Sequence, residues 1–262
     1  MDFNKSQSHW DYMFNELGDP RTASLFLMNN PILLICIIGA YLYFVLHWGP
    51  KYMKSRQPYE LKYVIISYNT IQILINLYLF GRLLYLWLDY NWICQPFDDS
   101  TSQPTMMMIQ TCYMYFLNKI MDLVDTVFFV LRKKQSQVSF LHVWHHCIMV
   151  SFTWIGIKYL PNGHGTFYGL INSFVHVLLY LYYLLAAFGP KIQKYLWWKK
   201  YLTTMQLIQF GIVIVHELLT LAPNCNYPAW TTLFITPNGV VFTILFLNFY
   251  KQKYKTKTEK ST

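Results

Sequence analysis

Charge is scarce in this sequence. Only 13% of the 262 residues are Asp, Glu, Lys or Arg, about half of the ~25% typical of soluble domains. Acidic side chains are the rarer sign, 12 against 21 basic ones. So little charge excludes a disordered chain and argues against an ordinary soluble enzyme. Cysteine is sparse as well, and five in a chain of this length exclude a disulfide-rich scaffold. Heptad repeats, low-complexity tracts and soluble linkers are missing. Residues 1–30 hold Asp2, Asp11, Glu16 and Asp19 with no apolar run before Leu25, unlike a signal peptide. Entry into the membrane through the chain's own spans is therefore expected. Asp2 after Met1, with Ser261 and Thr262 at the other end, gives no lipidation signal.

Apolar residues are abundant, at 55%, with 19% aromatic. A hydrocarbon core ~30 Å thick needs about 20 apolar helical residues. Seven segments qualify: Pro31–Trp48, Val64–Leu88, Met106–Leu131, Val138–Leu160, Thr166–Phe188, Thr203–Ala222 and Thr231–Tyr250. Gly49-Pro50 is expected to end the first span and Gly189-Pro190 the fifth, while Pro161-Asn162-Gly163 separates the fourth from the fifth. The expected fold is an all-α integral membrane protein of about seven transmembrane helices, a single multi-pass domain over 1–262.

Most of the 21 basic residues cluster after alternate spans. Lys51, Lys54, Arg56 and Lys62 follow the first; Arg132, Lys133 and Lys134 the third. Lys191, Lys194, Lys199 and Lys200 follow the fifth, and Lys251, Lys253, Lys255, Lys257 and Lys260 the seventh. The positive-inside rule then puts the basic tail 251–262 in the cytosol and residues 1–30 on the other side. Membrane topology thus accounts for the net charge of +9 without nucleic acid.

Ionisable groups at membrane depth are costly, so they are candidates for function. Lys119, Asp122 and Asp125, with Thr126, lie at helical spacing in the third span. His142, His145 and His146 share one face of the fourth. The fifth carries Asn172, His176, Tyr180 and Tyr183; the sixth carries Thr203, Gln206 and Gln209, then His216 and Glu217. The plainer reading of Tyr180, Tyr183, Gln206 and Gln209 taken singly is interhelical hydrogen bonding. Lys119 with Asp122 has the plainer reading of a buried ion pair. His216 and Glu217 are expected to reach the membrane interface, and His9, His47 and His164 to be solvated. Met106, Met107 and Met108 read as packing at membrane entry. Three clustered imidazoles are harder to dismiss, because each needs a polar partner there. They suit metal binding or nucleophilic and acid–base catalysis. One box, with only His176 and His216 elsewhere in spans, is short of ligands for two irons.

These residues carry a resemblance. Lys119-Ile-Met-Asp122-Leu-Val-Asp125-Thr126 resembles the KxxExxDT motif of the very-long-chain fatty-acid elongases, the 3-oxoacyl-CoA synthases. His142-Val-Trp-His145-His146 matches their HxxHH box. Asn172-Ser-Phe-Val-His176-Val-Leu-Leu-Tyr180-Leu-Tyr182-Tyr183 is similar to NxxxHxxMYxYY, and Thr203-Thr-Met-Gln206-Leu-Ile-Gln209-Phe210 to TxxQxxQF. The four occur in order over residues 119–210. Asp122 stands where Glu is usual, and Leu179 where Met is usual. The segment from Asp125 through His146 is especially close to animal members.

The resemblance implies condensation of a long-chain acyl-CoA with malonyl-CoA. The products are a 3-oxoacyl-CoA two carbons longer, CO2 and CoA, made without metal or redox cofactor. It implies an acyl-chain tunnel enclosed by the helices, and His145 as nucleophile. His176 and Asn172 would support the oxyanion, His142 and His146 would orient groups or exchange protons, and Asp122 and Asp125 would hold imidazoles or balance Lys119. Spacing alone does not choose among the three box histidines. Arg132, Lys133, Lys134, Lys199 and Lys200 are expected to serve topology, CoA phosphates or both. Residence in the endoplasmic reticulum and contact with other elongation-cycle enzymes follow from the same resemblance; oligomeric state, chain length and unsaturation do not. Two other readings stay open: a seven-span transporter or receptor, and a histidine-box metal desaturase or hydroxylase.

Cys94 and Cys225 fall in loops on the non-cytosolic side, where an oxidising compartment would let them pair. Cys36, Cys112 and Cys147 lie within spans, as packing residues. Asn4-Lys5-Ser6 is the one glycosylation sequon.

Overall fold

The structure, a computed structural model, describes residues 9–255. Asn4, Lys257 and Lys260 lie outside that range. Every regular element among the described residues is helical. Six helices are long and apolar enough to cross a membrane: Ile32–Met53, Lys62–Trp87, Phe140–Tyr159, Thr166–Ala187, Lys199–Leu221 and Ala229–Lys253. The protein is thus a multi-span, all-helical membrane protein. We label α1 Ile32–Met53 and α2 Lys62–Trp87. Next come α3 Gln103–Met121, α4 Leu123–Leu131 and α5 Phe140–Tyr159. The last three are α6 Thr166–Ala187, α7 Lys199–Leu218 and α8 Thr232–Tyr250.

Two expectations about the spans change. Gly49-Pro50 does not stop the first helix, which runs on to Met53. A π-helical turn at Phe44–Trp48 precedes it, and the Gly49 amide bonds back five residues to the Phe44 carbonyl. The wider turn carries the helix into Pro50 at its first permitted positions, where the missing N–H is not needed. Met106–Leu131 is not one continuous helix. It is interrupted at Asp122, between α3 and α4, and it carries the three charges Lys119, Asp122 and Asp125.

The chain divides into two compact units. One consists of the chain up to Glu60 together with Asp99–Asn162, and holds α1, α3, α4 and α5. Its core gathers Met28, Val45, Phe116, Val130, Val150 and Trp154. The segment before α1 docks on the far end of α5: Trp154 Nε1 donates to the Leu27 carbonyl (2.7 Å), and Lys158 Nζ to that of Met28 (2.9 Å). Gly49 meets Val130 so closely that a Cβ would stand 2.7 Å from it, which joins the end of α1 to α4.

The other unit consists of Leu61–Asp98 and the chain from Gly163 on, with α2, α6, α7 and α8. Here α2 packs along α6, α6 against α7, and α7 against α8. Trp87 Nε1 donates to Thr166 Oγ1 at 3.0 Å. Cys94 and Cys225 are joined as a disulfide, with Cα atoms 5.7 Å apart. His164 is not solvated, as the sequence suggested, but fully buried. Its ring stacks on His216, centroids 3.9 Å apart, and its Nε2 bonds the His216 carbonyl at 2.8 Å. Burial holds the His164 pKa below the usual imidazole value. His216 and Glu217 are buried too rather than interfacial. His216 Nε2 bonds the Trp92 carbonyl (3.1 Å), and Thr231 donates to Glu217 (2.6 Å). The loop that carries Trp92 and Cys94 folds back over these side chains, which the apolar pattern cannot show. Cys36 is exposed on the side of α1 rather than packed; Cys112 and Cys147 are half-buried.

Candidate active site

The histidine box sits in the first two turns of α5. Ser139 caps that helix, its hydroxyl accepting from the His142 amide at 3.2 Å. Serine is a strong N-cap because it satisfies an amide the helix leaves open. The cap fixes where α5 begins, and so places His142, His145 and His146 near the positive end of the helix dipole, beside which negative charge is favoured. His142 and His146, one turn apart, have ring centroids 4.3 Å apart. His145 and His146 stand edge to face at 5.7 Å. His146 is buried, and the other two are half-buried.

The break at Asp122 serves the same region. The Asp122 amide still bonds the Asn118 carbonyl at 3.0 Å, while the Asp125 amide bonds the Asp122 carbonyl, three residues back, at 3.3 Å. This tightened turn keeps Lys119, Asp122, Asp125 and Thr126 buried together. Lys119 Nζ bonds the Asp122 carboxylate at 2.8 Å, with each side chain only 2% exposed. The ammonium also stands 4.9 Å from the centre of the Tyr115 ring. Thr126 Oγ1 lies 3.0 Å from His142 Nε2 and 2.8 Å from the Tyr41 hydroxyl. The KxxDxxDT and HxxHH segments are therefore in direct contact through Thr126 and His142.

Of the remaining sequence candidates, those on α6 and α7 lie in the other unit, and Arg132, Lys133 and Lys134 lie in the unit of the histidine box. Asn172, His176 and Tyr180 are buried on one face of α6. Ring contacts run His176–Tyr180 (5.7 Å) and Tyr180–Tyr183 (6.0 Å). Gln209 is buried on α7, its Oε1 making no hydrogen bond among the described residues, and Gln206 is half-buried. Lys199 stands over the Tyr182 ring and Lys200 over Tyr201, at 5.6 and 4.9 Å. Arg132, Lys133 and Lys134 are exposed after α4, with Lys133 Nζ donating to the Lys54 carbonyl at 3.3 Å. Among the described residues, no group of three or more His, Cys, Asp or Glu side chains is placed to hold a metal ion.

Two features escaped sequence reasoning. Tyr41 reads as one more aromatic in an apolar run, and nothing local marks its hydroxyl as a partner of Thr126. On α2, Asn69, Gln72 and Asn76 are buried at membrane depth. Gln72 Nε2 donates to the Tyr68 hydroxyl (3.0 Å), and Asn76 Nδ2 to the Gln72 carbonyl (2.8 Å). Their spacing of three and four was a visible signal of one polar face.

Comparison with known proteins shows the family. Residues 26–262 match the ELO: GNS1/SUR4 family. The chain is 46% identical to very long chain fatty acid elongase 7 of Drosophila melanogaster, over 94% of this chain and 75% of that one. It is 45% identical to human very long chain fatty acid elongase 4, over 91% and 76%. To mouse elongase 1 it is 43% identical, over 92% and 89%. Nothing in these matches favours the transporter, receptor or metal-oxygenase readings. With this coverage and identity, the chain belongs to the ELO family of very long chain fatty acid elongases.

Proposed function

We propose that this protein is the condensing enzyme of fatty-acid elongation, joining a long-chain acyl-CoA to malonyl-CoA. The observation that carries the reading is the contact of Thr126 with His142, which joins two family motifs at the start of one helix. In the proposed mechanism His145 attacks the acyl-CoA carbonyl carbon. The carbon–sulfur bond breaks, CoA leaves as its thiolate and takes up a proton, and an acyl-imidazole remains. Malonyl-CoA loses CO2, and the electron pair of the broken carbon–carbon bond forms an enolate carbon. That carbon attacks the acyl group, and the imidazole departs. The 3-oxoacyl-CoA is two carbons longer than the starting acyl chain, and no metal or redox cofactor takes part.

The other residues take supporting roles. His176 and Asn172 steady the oxyanion that forms at each attack. His142 and His146 orient the thioester and move protons. Lys119 and Asp122 cancel each other's charge and hold the turn that presents Thr126; Asp125 balances the histidines. The acyl chain occupies an apolar tunnel lined in part by Tyr180, Tyr183, Gln206 and Gln209. CoA phosphates meet Arg132, Lys133, Lys134, Lys199 and Lys200.

The positive-inside rule supports a cytosolic C-terminus, a lumenal N-terminus and therefore seven crossings, α3 and α4 together forming the one with three charges. The endoplasmic reticulum is the proposed compartment; the Cys94–Cys225 bond fits its oxidising lumen. The other enzymes of the elongation cycle are the proposed partners. Purified protein given acyl-CoA and labelled malonyl-CoA is expected to release labelled 3-oxoacyl-CoA and CO2. Absence of product from folded protein across saturated and unsaturated acyl-CoAs would contradict the reading.

A further inference from the structure

We propose that Tyr41, in the first span, is a positioning residue of the active site, fixing the proton arrangement of the histidine box through Thr126. The inference rests on the condensing function proposed above.

The geometry is a chain of three groups: Tyr41 Oη, Thr126 Oγ1 at 2.8 Å, and His142 Nε2 at 3.0 Å. Tyr41 and Thr126 are buried, so water does not compete for the bond between them. A threonine hydroxyl has one hydrogen to give and lone pairs to receive. It must therefore donate to one neighbour and accept from the other. In one arrangement the phenol donates to Thr126, and Thr126 donates to His142 Nε2, leaving the imidazole proton on Nδ1. In the other, His142 Nε2–H donates to Thr126, and Thr126 donates to the phenol oxygen.

Chemistry chooses between them. A phenol, with a pKa near 10, is a far stronger hydrogen donor than an aliphatic alcohol and a weaker acceptor. The first arrangement therefore wins, and each bond polarises the next. The result is a His142 whose Nε2 is committed as an acceptor and whose Nδ1 carries the hydrogen. In that tautomer the Nδ1–H is the hydrogen offered to the reacting thioester. Remove the phenol hydrogen, and Thr126 can turn its own hydrogen away. His142 then loses its fixed tautomer. The effect belongs to turnover and not to acyl-CoA binding, because Tyr41 reaches the imidazole only through Thr126.

The test uses full-length protein in detergent or vesicles, with Tyr41→Phe, Thr126→Val, the double variant, Thr126→Ser and His145→Ala. The His145→Ala protein must be inactive; turnover by it would refute the condensing mechanism itself, not the role of Tyr41. With that control in place, Tyr41→Phe is expected to lower kcat about 10-fold, the weight of one neutral hydrogen bond, with KM for acyl-CoA unchanged. Thr126→Ser, which keeps a hydroxyl, is expected to hold most of the activity and to remain sensitive to Tyr41→Phe. The double Tyr41→Phe/Thr126→Val variant should be no slower than Thr126→Val alone, since the tyrosine acts through the threonine. Full kcat in Tyr41→Phe overturns the proposal. So do losses that add in full in the double variant, or a change confined to KM.

Discussion

Lys119 and Asp122 form an ion pair at 2.8 Å that is almost sealed from solvent, each side chain 2% exposed, at the single residue where α3 and α4 part. Two charges at membrane depth are tolerated because each meets the other. Aspartate is one methylene shorter than the glutamate usual in this motif, and the tightened turn at Asp122 accompanies its contact with the lysine three residues back. The break in the helix and the departure from the family pattern thus occur at the same residue.

Removing one partner of that pair leaves an uncompensated buried charge. Asp122→Ala and Lys119→Ala are each expected to cost about 3–5 kcal/mol of stability. The double Lys119→Met/Asp122→Leu variant, which removes both charges of the pair, should regain most of it. Unfolding of the purified variants in detergent checks this. Equal melting temperatures for wild type and single variants would mean that the pair contributes nothing.

The disulfide closes a loop between residues 131 apart in sequence. Cys225→Ser is expected to destabilise the protein by about 2–4 kcal/mol, and reductant should reproduce the effect in wild type. Reductant should have no further effect on Cys225→Ser. A variant as stable as wild type would show that the loops carrying Trp92 and Tyr227 are held without it.

His164 gives a pH dependence whose sign follows from burial. Its pKa is held below that of the unfolded chain, which is near 6.5. Between the two values the unfolded chain binds a proton that the folded chain does not. Stability from this group is complete above about pH 6.5 and is lost as pH falls toward the folded value. Melting temperature should therefore fall from pH 7.5 to pH 5, and by less in His164→Gln. Identical falls in the two proteins would remove His164 as the cause.

The N-terminal segment is tied to the helix of the histidine box by the Lys158–Met28 and Trp154–Leu27 bonds. Lys158→Met keeps the bulk and loses the bond, leaving a buried carbonyl unsatisfied. A loss of about 1–3 kcal/mol is expected, with kcat of the remaining folded protein intact. Thermal unfolding beside turnover measures both, and a fall in kcat without loss of stability would contradict a purely anchoring role.

Much of this was legible in the sequence, for physical reasons. Long apolar runs have few alternatives to membrane helices, so the spans could be read with their order and, for most, their ends. Polar residues at helical spacing stand out against that background, as the histidine box and Asn172–His176 do. What stayed hidden depends on tertiary return of the chain. His164 sits outside any apolar run, and His216, Tyr227 and the returning 91–95 loop together bury it. The break at Asp122 keeps helical φ and ψ, so no glycine or proline announces it. Pro50 misled because the π-helical turn before it is invisible in composition. Tyr41 is one of 22 tyrosines, and its role rests on a partner 85 residues away.

The reaction proposed for the histidine box is a decarboxylating condensation. The most direct measurement supplies labelled malonyl-CoA and acyl-CoAs of graded length to membranes containing the protein or its His145→Ala variant. Label is expected in acyl products extended by two carbons with the wild-type chain, and none with the variant at equal folded amount. Equal extension by both proteins would contradict it.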